Sequence, residues 1–496
     1  YTEKYGMEYR RAYYNESPNQ WLIDRHRREI FPVLKKRYLF SEVYNFWFFD
    51  FHDNAGYINE NVMAYSNGYG HERALIFYNN KYDSAFGRIY HSAPKLVPGE
   101  NDKYLKHITI GEALSIKNDG KYFYIFRESI SGLEFIKAGN EFYNDGFYIE
   151  LQGFKYKVFM DFREVYDHTG EFEAVRNRLF GGGAANIWLL VEEERLKHIH
   201  EAMENLADEK IIDIFVNAFV LDDVKKEKAE KDLKFILNRY SYLLGCINDK
   251  YRLNVNCSKE LKDFSLYLSA VRNVNIKLGG FLREKKYSFN KIIGKKVPFS
   301  TDSNYLEHSY FYLAWLTVKS LKNIMPLTGE LNKENFFNKL ILEKPLHKIF
   351  HKTGMGDREY NKEMFLLLTL LKYGGGILSL KNLPEGSNPE EKYAEKMTII
   401  ADMLEDKDVK NLLGVNVYKE ITYYSKENFE EMMNWLLSTS FVEYFADEQF
   451  IKENTADEIN NSLIRSMKLF SVILELSDNS GYQLPVFKES LKFKFR

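Results

Sequence analysis

The chain has 496 residues and carries 69 Lys and Arg against 71 Asp and Glu, a formal net charge of −2. Such a length accommodates roughly two to four ordinary domains, and the balanced charge argues against a nucleic-acid partner, since dedicated binders carry a strong basic excess. With only Cys246 and Cys257 present, a disulfide framework and a four-cysteine metal site are excluded.

No membrane partner is expected either. The most apolar run, Met364 to Leu371, is interrupted by Lys372 and by three glycines. A bilayer span needs about 20 apolar residues, so this run predicts a buried core helix that ends at a glycine cap.

The first forty residues contain the stretch PNQWLIDRHRREIFPVLKKRYLF, which has the composition of a helix broken or restarted at Pro32. No strand signal precedes it. A helix that leads into a sheet, with no strand before it, is typical of the end of a preceding domain. We therefore expect residues 1–38 to be the last part of such a domain.

From residue 39 to residue 165, aromatic and β-branched residues alternate with polar ones. Segments such as VYNFWFFDF, ERALIFYNN and KYFYIFRES have the period of two that is typical of strands. In GFYIELQGFKYKVFMDF, Phe147, Ile149 and Leu151 share one face, and the alternation is expected to resume with Phe154 after a bend at Gly153. These segments predict an antiparallel β-sandwich.

Residues 166–496 change to a helical period of 3.6. We expect several apolar stripes to be buried, and the residues are Val191, Leu196, Ile199, Ala202, Met203, Leu206, Ile211, Ile212, Phe215, Val216, Phe219, Leu233, Ile236, Leu237, Tyr240, Leu243, Leu244, Ile247, Phe429, Met432, Met433, Leu436, Leu437, Phe441 and Tyr444. Thr455 and Glu458 have capping-box spacing. The fold class is therefore α+β and multidomain, with a sandwich followed by a large all-α domain.

Glycine and histidine patterns do not identify a site. The run FGGGAAN at Phe180–Asn186 lacks the Lys-Ser/Thr of a P-loop, and we interpret it as a flexible connection between subdomains. His198 and His200 diverge on a helix. His347 and His351 are four residues apart and share a face, but no third ligand follows from the sequence. We therefore expect surface histidines, with no metal and no cofactor.

Acidic residues cluster only in MDFREVYD, where Asp161, Glu164 and Asp167 lie close together. Glycoside hydrolysis needs two carboxylates at a defined separation, and the sequence singles out no such pair. First-turn carboxylates that complement a helix dipole are the simpler interpretation. Aromatic residues make up 16% of the chain, which fits either a sugar-binding surface or an aromatic-rich sheet core.

Several segments resemble the C-terminal part of large bacterial proteins of the α-amylase family of glycoside hydrolases. They are TEKYGMEYRRAY, WLIDRHRREIFPVLKKRYLF, NENVMAYSNGYGHERALIFYNN, FRESISGLEFIKAG and GFYIELQGFKYKVFMDFREV. The resemblance covers about 40% of the chain. It implies that residues 1–38 end a (β/α)8 barrel and that the strands form the sandwich called domain C. The helical remainder resembles an extension found in the same proteins.

The resemblance also implies that the family's catalytic carboxylates lie on barrel strands that this sequence does not contain, so no catalytic residue is carried over. It places Lys4, Tyr5, Tyr9 and Arg10 on a loop at the substrate side of the barrel. The implied partners are an α-glucan or maltooligosaccharide and the N-terminal barrel of the same protein. We expect a soluble protein of the bacterial cytoplasm.

Three functions remain open from the sequence. In the first, the chain is a non-catalytic region that supports an α-amylase-like barrel, shapes its substrate cleft or mediates assembly. Alternatively, the aromatic sandwich is a carbohydrate-binding module without hydrolysis. A glycosidase with its own site in the helical half is the third, although no acidic pair or metal signature indicates one there.

Overall fold

The computed structural model describes residues 18–99, 102–217, 226–253, 256–283, 305–321, 336–381 and 389–493. The chain divides into two compact units, with the boundary between Arg195 and Leu196. The first contains a large antiparallel sheet and several helices, and the second is built mainly of helices. The predicted α+β class is therefore confirmed.

Ten strands lie among the described residues of the first unit. They are β1 (Trp47–Asp53), β2 (Val62–Tyr69), β3 (Glu72–Asn79), β4 (Ala85–Ser92), β5 (Lys95–Pro98), β6 (Lys103–Lys106), β7 (Tyr122–Glu128), β8 (Glu134–Ala138), β9 (Phe147–Leu151) and β10 (Tyr156–Tyr166). Eight of them form one sheet in the order β8-β7-β10-β3-β2-β1-β4-β9, while β5 and β6 pair separately. All the pairs are antiparallel.

The sheet is curled. β9 is one edge strand, yet the ring of its Phe147 lies 5.6 Å from Phe77 of β3 and 5.7 Å from Phe126 of β7. These strands are distant from β9 in the order of the sheet. The sheet therefore wraps around an aromatic core. It is one continuous sheet, and its description as a two-sheet sandwich stays a prediction.

The alternation predicted for β9 is confirmed, since Phe147, Ile149 and Leu151 are buried and the residues between them are exposed. The prediction for Phe154 is wrong. This residue lies in a turn with φ +54 and is 55% exposed, and β10 begins only at Tyr156. The backbone N–H of Phe154 donates to the carbonyl oxygen of Lys81 at 3.0 Å, and the turn passes so close to Tyr82 that a Cβ at Gly153 would lie 1.8 Å from its carbonyl oxygen.

A helical segment precedes the sheet. It runs through α1 (Gln20–Arg25), a π-helical turn (His26–Ile30) and α2 (Phe31–Lys35), followed by a 3₁₀ turn (Arg37–Phe40). The helix is not broken at Pro32, because helical residues continue without a gap from Gln20 to Lys35, and the irregularity is the π-helical turn that ends just before α2. Leu39 is buried against Ala74, Val158 and Met160 of the sheet.

Four short helices pack beside the strands of the sheet: α3 (Ile110–Ala113), α4 (Gly139–Asn144), α5 (Glu171–Leu179) and α6 (Ile187–Arg195). α5 and α6 cover the outer face of β7 and β8 through an apolar cluster. Its buried members are Phe123, Ile125, Ile136, Ala138, Phe172, Val175, Ile187 and Val191. The inner residues of the same strands face the aromatic core, so β7 is buried on both faces.

Glu134 connects these elements. Its side chain is only 4% exposed, and its Oε1 accepts hydrogen bonds from Arg127 of β7 at 2.8 Å and from Arg163 of β10 at 2.6 Å. Its Oε2 accepts from the backbone N–H of Ile187 at 3.0 Å, at the start of α6. One buried carboxylate therefore bonds β7, β8, β10 and α6 together.

The second unit contains helices throughout its described residues. They are α7 (Lys197–Leu206), α8 (Glu209–Phe215), α9 (Lys226–Tyr251), α10 (Ser258–Arg283), α11 (Tyr305–Leu321), α12 (Phe336–Lys339), α13 (Glu343–His351), α14 (Asp357–Tyr373), α15 (Pro389–Met403), α16 (Lys407–Leu412), α17 (Lys426–Ala446), α18 (Glu448–Glu453), α19 (Ala456–Asn479) and α20 (Leu484–Phe493). A hairpin of β11 (Asn416–Tyr418) and β12 (Ile421–Tyr423) interrupts them.

The predicted apolar stripes form the core of this unit. Apart from Val191, which belongs to the first unit, and Phe219, which lies outside the described residues, their members belong to one cluster or pack against it. The capping box of Thr455 and Glu458 opens α19 as predicted. Among the described residues, no helix is long and apolar enough to cross a bilayer.

We predict that Glu134→Gln weakens the first unit by about 3 kcal/mol, since hydrogen bonds between charged groups contribute about 1.5–3 kcal/mol each. Hydrogen exchange of the full chain measures this as a lower opening free energy of amides in β7, β8 and α6. Glu60→Gln, at an exposed turn, is the control. Unchanged exchange in Glu134→Gln would contradict the role given to this carboxylate.

The pH dependence of this effect follows from the pKa of Glu134. Burial opposes ionisation, but the Ile187 N–H and the two arginines outweigh it and lower the pKa of this carboxyl below its ordinary value of 4.5. Its stabilisation is complete above that value and is lost as the pH falls through the folded-state pKa. The difference between wild type and Glu134→Gln should therefore be constant near pH 7 and shrink in acid. A stability difference between the two proteins that grows as the pH falls would contradict this assignment.

Candidate functional site

A cleft of about 770 Å³ opens where the two ends of the curled sheet approach each other. Both edge strands, β8 and β9, contribute to its walls, together with β7, β10, α4 and α5. Within the described part of the sheet, each edge strand pairs with one neighbouring strand only. The free edge of β8 is covered at Glu134 by a backbone bridge to Ala184, which lies just beyond the glycine run.

The floor of the cleft is aromatic. Phe126, Phe135, Phe147 and Phe159 line it, and their rings contact one another with centroids 5.1–6.0 Å apart. Period-two patterning places these side chains on the inner face of the sheet. Such ring pairs pack at the distances typical of aromatic clusters, so the floor is a fixed apolar surface.

Charged groups surround this floor. Arg176 of α5 forms an ion pair with Oε1 of Glu141, while Oε2 of Glu141 accepts the backbone N–H of Ala138 at 2.7 Å. Both oxygens of Glu141 are thus engaged in holding α4 and α5. Lys137 is half-buried, and burial lowers its pKa although Glu141 and Asp145 oppose that change. Lys157 and Glu150 complete the polar lining.

Phe180 stands at the mouth of the cleft. It is the residue after α5, its side chain is 96% exposed, and its backbone is left-handed with φ +48. Both features are unfavourable for phenylalanine, because the left-handed conformation costs about 1–2 kcal/mol for residues with a Cβ and the ring remains in water. Residues held in such conformations cluster at functional sites.

The glycine run after Phe180 is part of this site, and its interpretation as a connection between subdomains is wrong. It lies inside the first unit. Ala184 exchanges two backbone hydrogen bonds of 2.8 Å with Glu134, and a Cβ at Gly183 would lie 2.8 Å from the ring of Phe135. The loop is therefore fixed against β8, and this fixes the position of Phe180.

The acidic residues singled out in the sequence have structural roles. Asp161 and Glu164 lie within β10, so their prediction as first-turn carboxylates is wrong. Asp161, at a bulge, pairs with Lys36, and Glu164 accepts hydrogen bonds from Lys117 and Tyr124, each at 2.6 Å. Asp167 does act at a helix start, accepting the backbone N–H groups of Gly170 and Glu173.

The remaining sequence candidates are dispersed. Lys4, Tyr5, Tyr9 and Arg10 lie outside the described residues. Neither Cys246 nor Cys257 forms a disulfide bond. His198 is exposed, but the prediction of a surface histidine is wrong for His200, which is buried and donates from Nε2 to the carbonyl oxygen of Leu340 at 2.7 Å.

His347 and His351 come together with Asp357, which the sequence analysis did not consider. This is the one group of three or more potential metal ligands found among the described residues. A sequence signal for it exists: two histidines at i and i+4 are followed six residues later by an aspartate, after a turn that contains Gly354 and Gly356.

The chain matches no protein-family model, no curated protein and no solved structure. The cleft and its aromatic mouth therefore have to be interpreted from their own chemistry.

We predict that Phe180→Gly stabilises the chain by about 1 kcal/mol, because glycine adopts positive φ without the steric cost of a Cβ. Urea unfolding of the full chain, followed by circular dichroism, measures this. Phe180→Ala is the matched control, since alanine removes the ring but keeps the Cβ, and it should not be stabilised. Equal stability of the two variants would contradict the strain assigned to Phe180.

Proposed function

We propose that this chain is a non-catalytic, glucan-binding region of an α-amylase-like protein, and that the cleft between β8 and β9 holds a segment of α-glucan. In this proposal the curled sheet is the domain C sandwich of that family. The helix before it closes a (β/α)8 barrel, and the helical unit is an extension. The exposed, strained Phe180 at the mouth of an aromatic cleft is the observation that carries the proposal.

The chemistry of a glucan matches this cleft. A glucose ring has a C–H face that is apolar and a rim of hydroxyl groups that donate and accept hydrogen bonds. An exposed aromatic ring packs against the apolar C–H face, and planar or flexible charged side chains form hydrogen bonds with the hydroxyl groups. Phe180 supplies an accessible ring, while Arg176, Lys137 and Glu150 supply polar groups elsewhere in the lining of the same cleft.

A binding role without hydrolysis is favoured because the two carboxylates that line the cleft, Glu141 and Glu150, already have hydrogen-bond partners. Glu141 is held by Arg176 and by the Ala138 N–H. Glu150 accepts a hydrogen bond from the hydroxyl of Tyr148 at 3.1 Å and lies on the exposed face of β9. Neither carboxylate is buried without a partner, which is the environment typical of a catalytic acid. Binding is accordingly the simpler use of this site.

The role beside a barrel is supported by the first helical segment. Leu39 anchors it to the sheet, whereas Trp21 is 65% and Leu34 is 56% exposed. Large apolar side chains exposed on one short segment are typical of interaction surfaces. In the proposal these residues pack against the barrel that precedes them.

Isothermal titration of the full chain with maltoheptaose tests the binding role. The proposal expects a dissociation constant in the millimolar range or tighter. Phe180→Ala should weaken it about tenfold, which corresponds to about 1.4 kcal/mol. Phe154→Ala is the matched control, since Phe154 is also an exposed phenylalanine with positive φ but does not line the cleft. Cellohexaose, with β-linkages, should bind more weakly.

Two results of the titration would contradict the proposal. One is the absence of heat and of any spectral change with maltoheptaose at millimolar concentration. The other is equal weakening in Phe180→Ala and Phe154→Ala, which would place the sugar elsewhere on the first unit. Release of glucose or maltose by the chain alone would show that it has a catalytic site of its own, which the proposal excludes.

A further inference from the structure

Two neighbouring helices of the second unit bring three potential metal ligands to one point. His347 and His351 lie one turn apart on α13, and residues four apart share a helix face. The chain then reverses through a turn in which Gly354 has φ +83, and Asp357 is the first residue of α14. The three side chains meet where the two helices approach each other.

The donor atoms have the spacing of a coordination site. Nε2 of His347 lies 3.0 Å from Nε2 of His351, and Oδ1 of Asp357 lies 3.9 Å and 3.5 Å from these two atoms. Zinc bonds of about 2.0–2.1 Å in a tetrahedral arrangement place the ligand atoms about 3.3 Å apart. The three atoms therefore approximate one face of such a tetrahedron.

The two imidazoles face each other through the same nitrogen, Nε2. Between these nitrogens there is room for only one proton, which would be donated by one ring to the other. A cation accepts both lone pairs at once and pairs with the carboxylate as well. Neutral imidazole nitrogens and a carboxylate are the ordinary ligands of zinc.

Packing restrains the imidazole rings. The ring of Tyr360 lies 4.7 Å from that of His347 and 6.1 Å from that of His351. Tyr360 is itself buried, and its hydroxyl donates to the carbonyl oxygen of Glu343 at 3.1 Å, which ties α14 to the start of α13. Ligands whose orientation is set by surrounding groups are a general feature of metal sites.

We propose that His347, His351 and Asp357 form a divalent transition-metal site, with Zn²⁺ as the fitting ion. Two nitrogens and one oxygen suit zinc, whereas Ca²⁺ and Mg²⁺ prefer oxygen ligands alone. Asp357 is 87% exposed, so the fourth position faces solvent and takes water. The bound ion cross-links α13 to α14.

The test uses untagged full-length chain, stripped with a chelator and titrated with Zn²⁺ against a chromophoric competitor. The proposal expects one ion per chain. Co²⁺ in place of Zn²⁺ should give the visible absorption of tetrahedral coordination. Asp357→Asn and His351→Gln should each weaken Zn²⁺ binding by at least about tenfold, the loss that follows removal of even a supporting group.

His198→Ala is the control, because His198 is an exposed histidine on α7 that is not among the three ligands, and it should bind Zn²⁺ like wild type. Asp357→Asn changes an exposed side chain, so the test does not depend on the folding of His351→Gln. The site would be refuted by wild type that binds no Zn²⁺ at 100-fold excess of metal over competitor, or by unchanged binding in Asp357→Asn.

Discussion

Glu134 is a buried residue whose carboxylate accepts hydrogen bonds from three separate segments of the chain. Its side chain holds Arg127, Arg163 and the N–H of Ile187, and its backbone pairs with Ala184. A buried charge is tolerated only when it is paired and fully hydrogen-bonded, so each partner has to stay in place. The loop that carries Phe180 ends at Ala184, which is hydrogen-bonded to the backbone of the same residue, Glu134.

The second constraint is that the sheet curls without closing. A closed barrel has no edge, whereas this sheet ends in β8 on one side and β9 on the other. Between the two edges the cleft reaches aromatic residues of the inner face, of which Phe126, Phe147 and Phe159 are buried and Phe135 is partly buried. The Glu141–Arg176 ion pair joins α4 to α5 beside the cleft. The cleft follows from the topology, and its polar rim comes from β8, β9 and β10 as well as from α4 and α5.

Local features were predictable from the sequence, and the sites were not. The stripe from Phe429 to Tyr444 and the alternation of β9 depend on residues a few positions apart, and both were predicted correctly. Glu134 has partners 7, 29 and 53 residues away, and no local pattern reports on such pairs. The cleft needs the order of strands, in which β10 lies between β7 and β3. The glycine run was misjudged for the same reason, since its contacts lie on β8.

A crystal structure of the chain with maltoheptaose tests the central claim most directly, because it locates the sugar. The account predicts a glucosyl ring against the face of Phe180, with hydroxyl groups within hydrogen-bonding distance of Arg176 or Lys137 and with the chain of the sugar running between β8 and β9. Ordered maltoheptaose at any other surface, with the cleft empty, would contradict it.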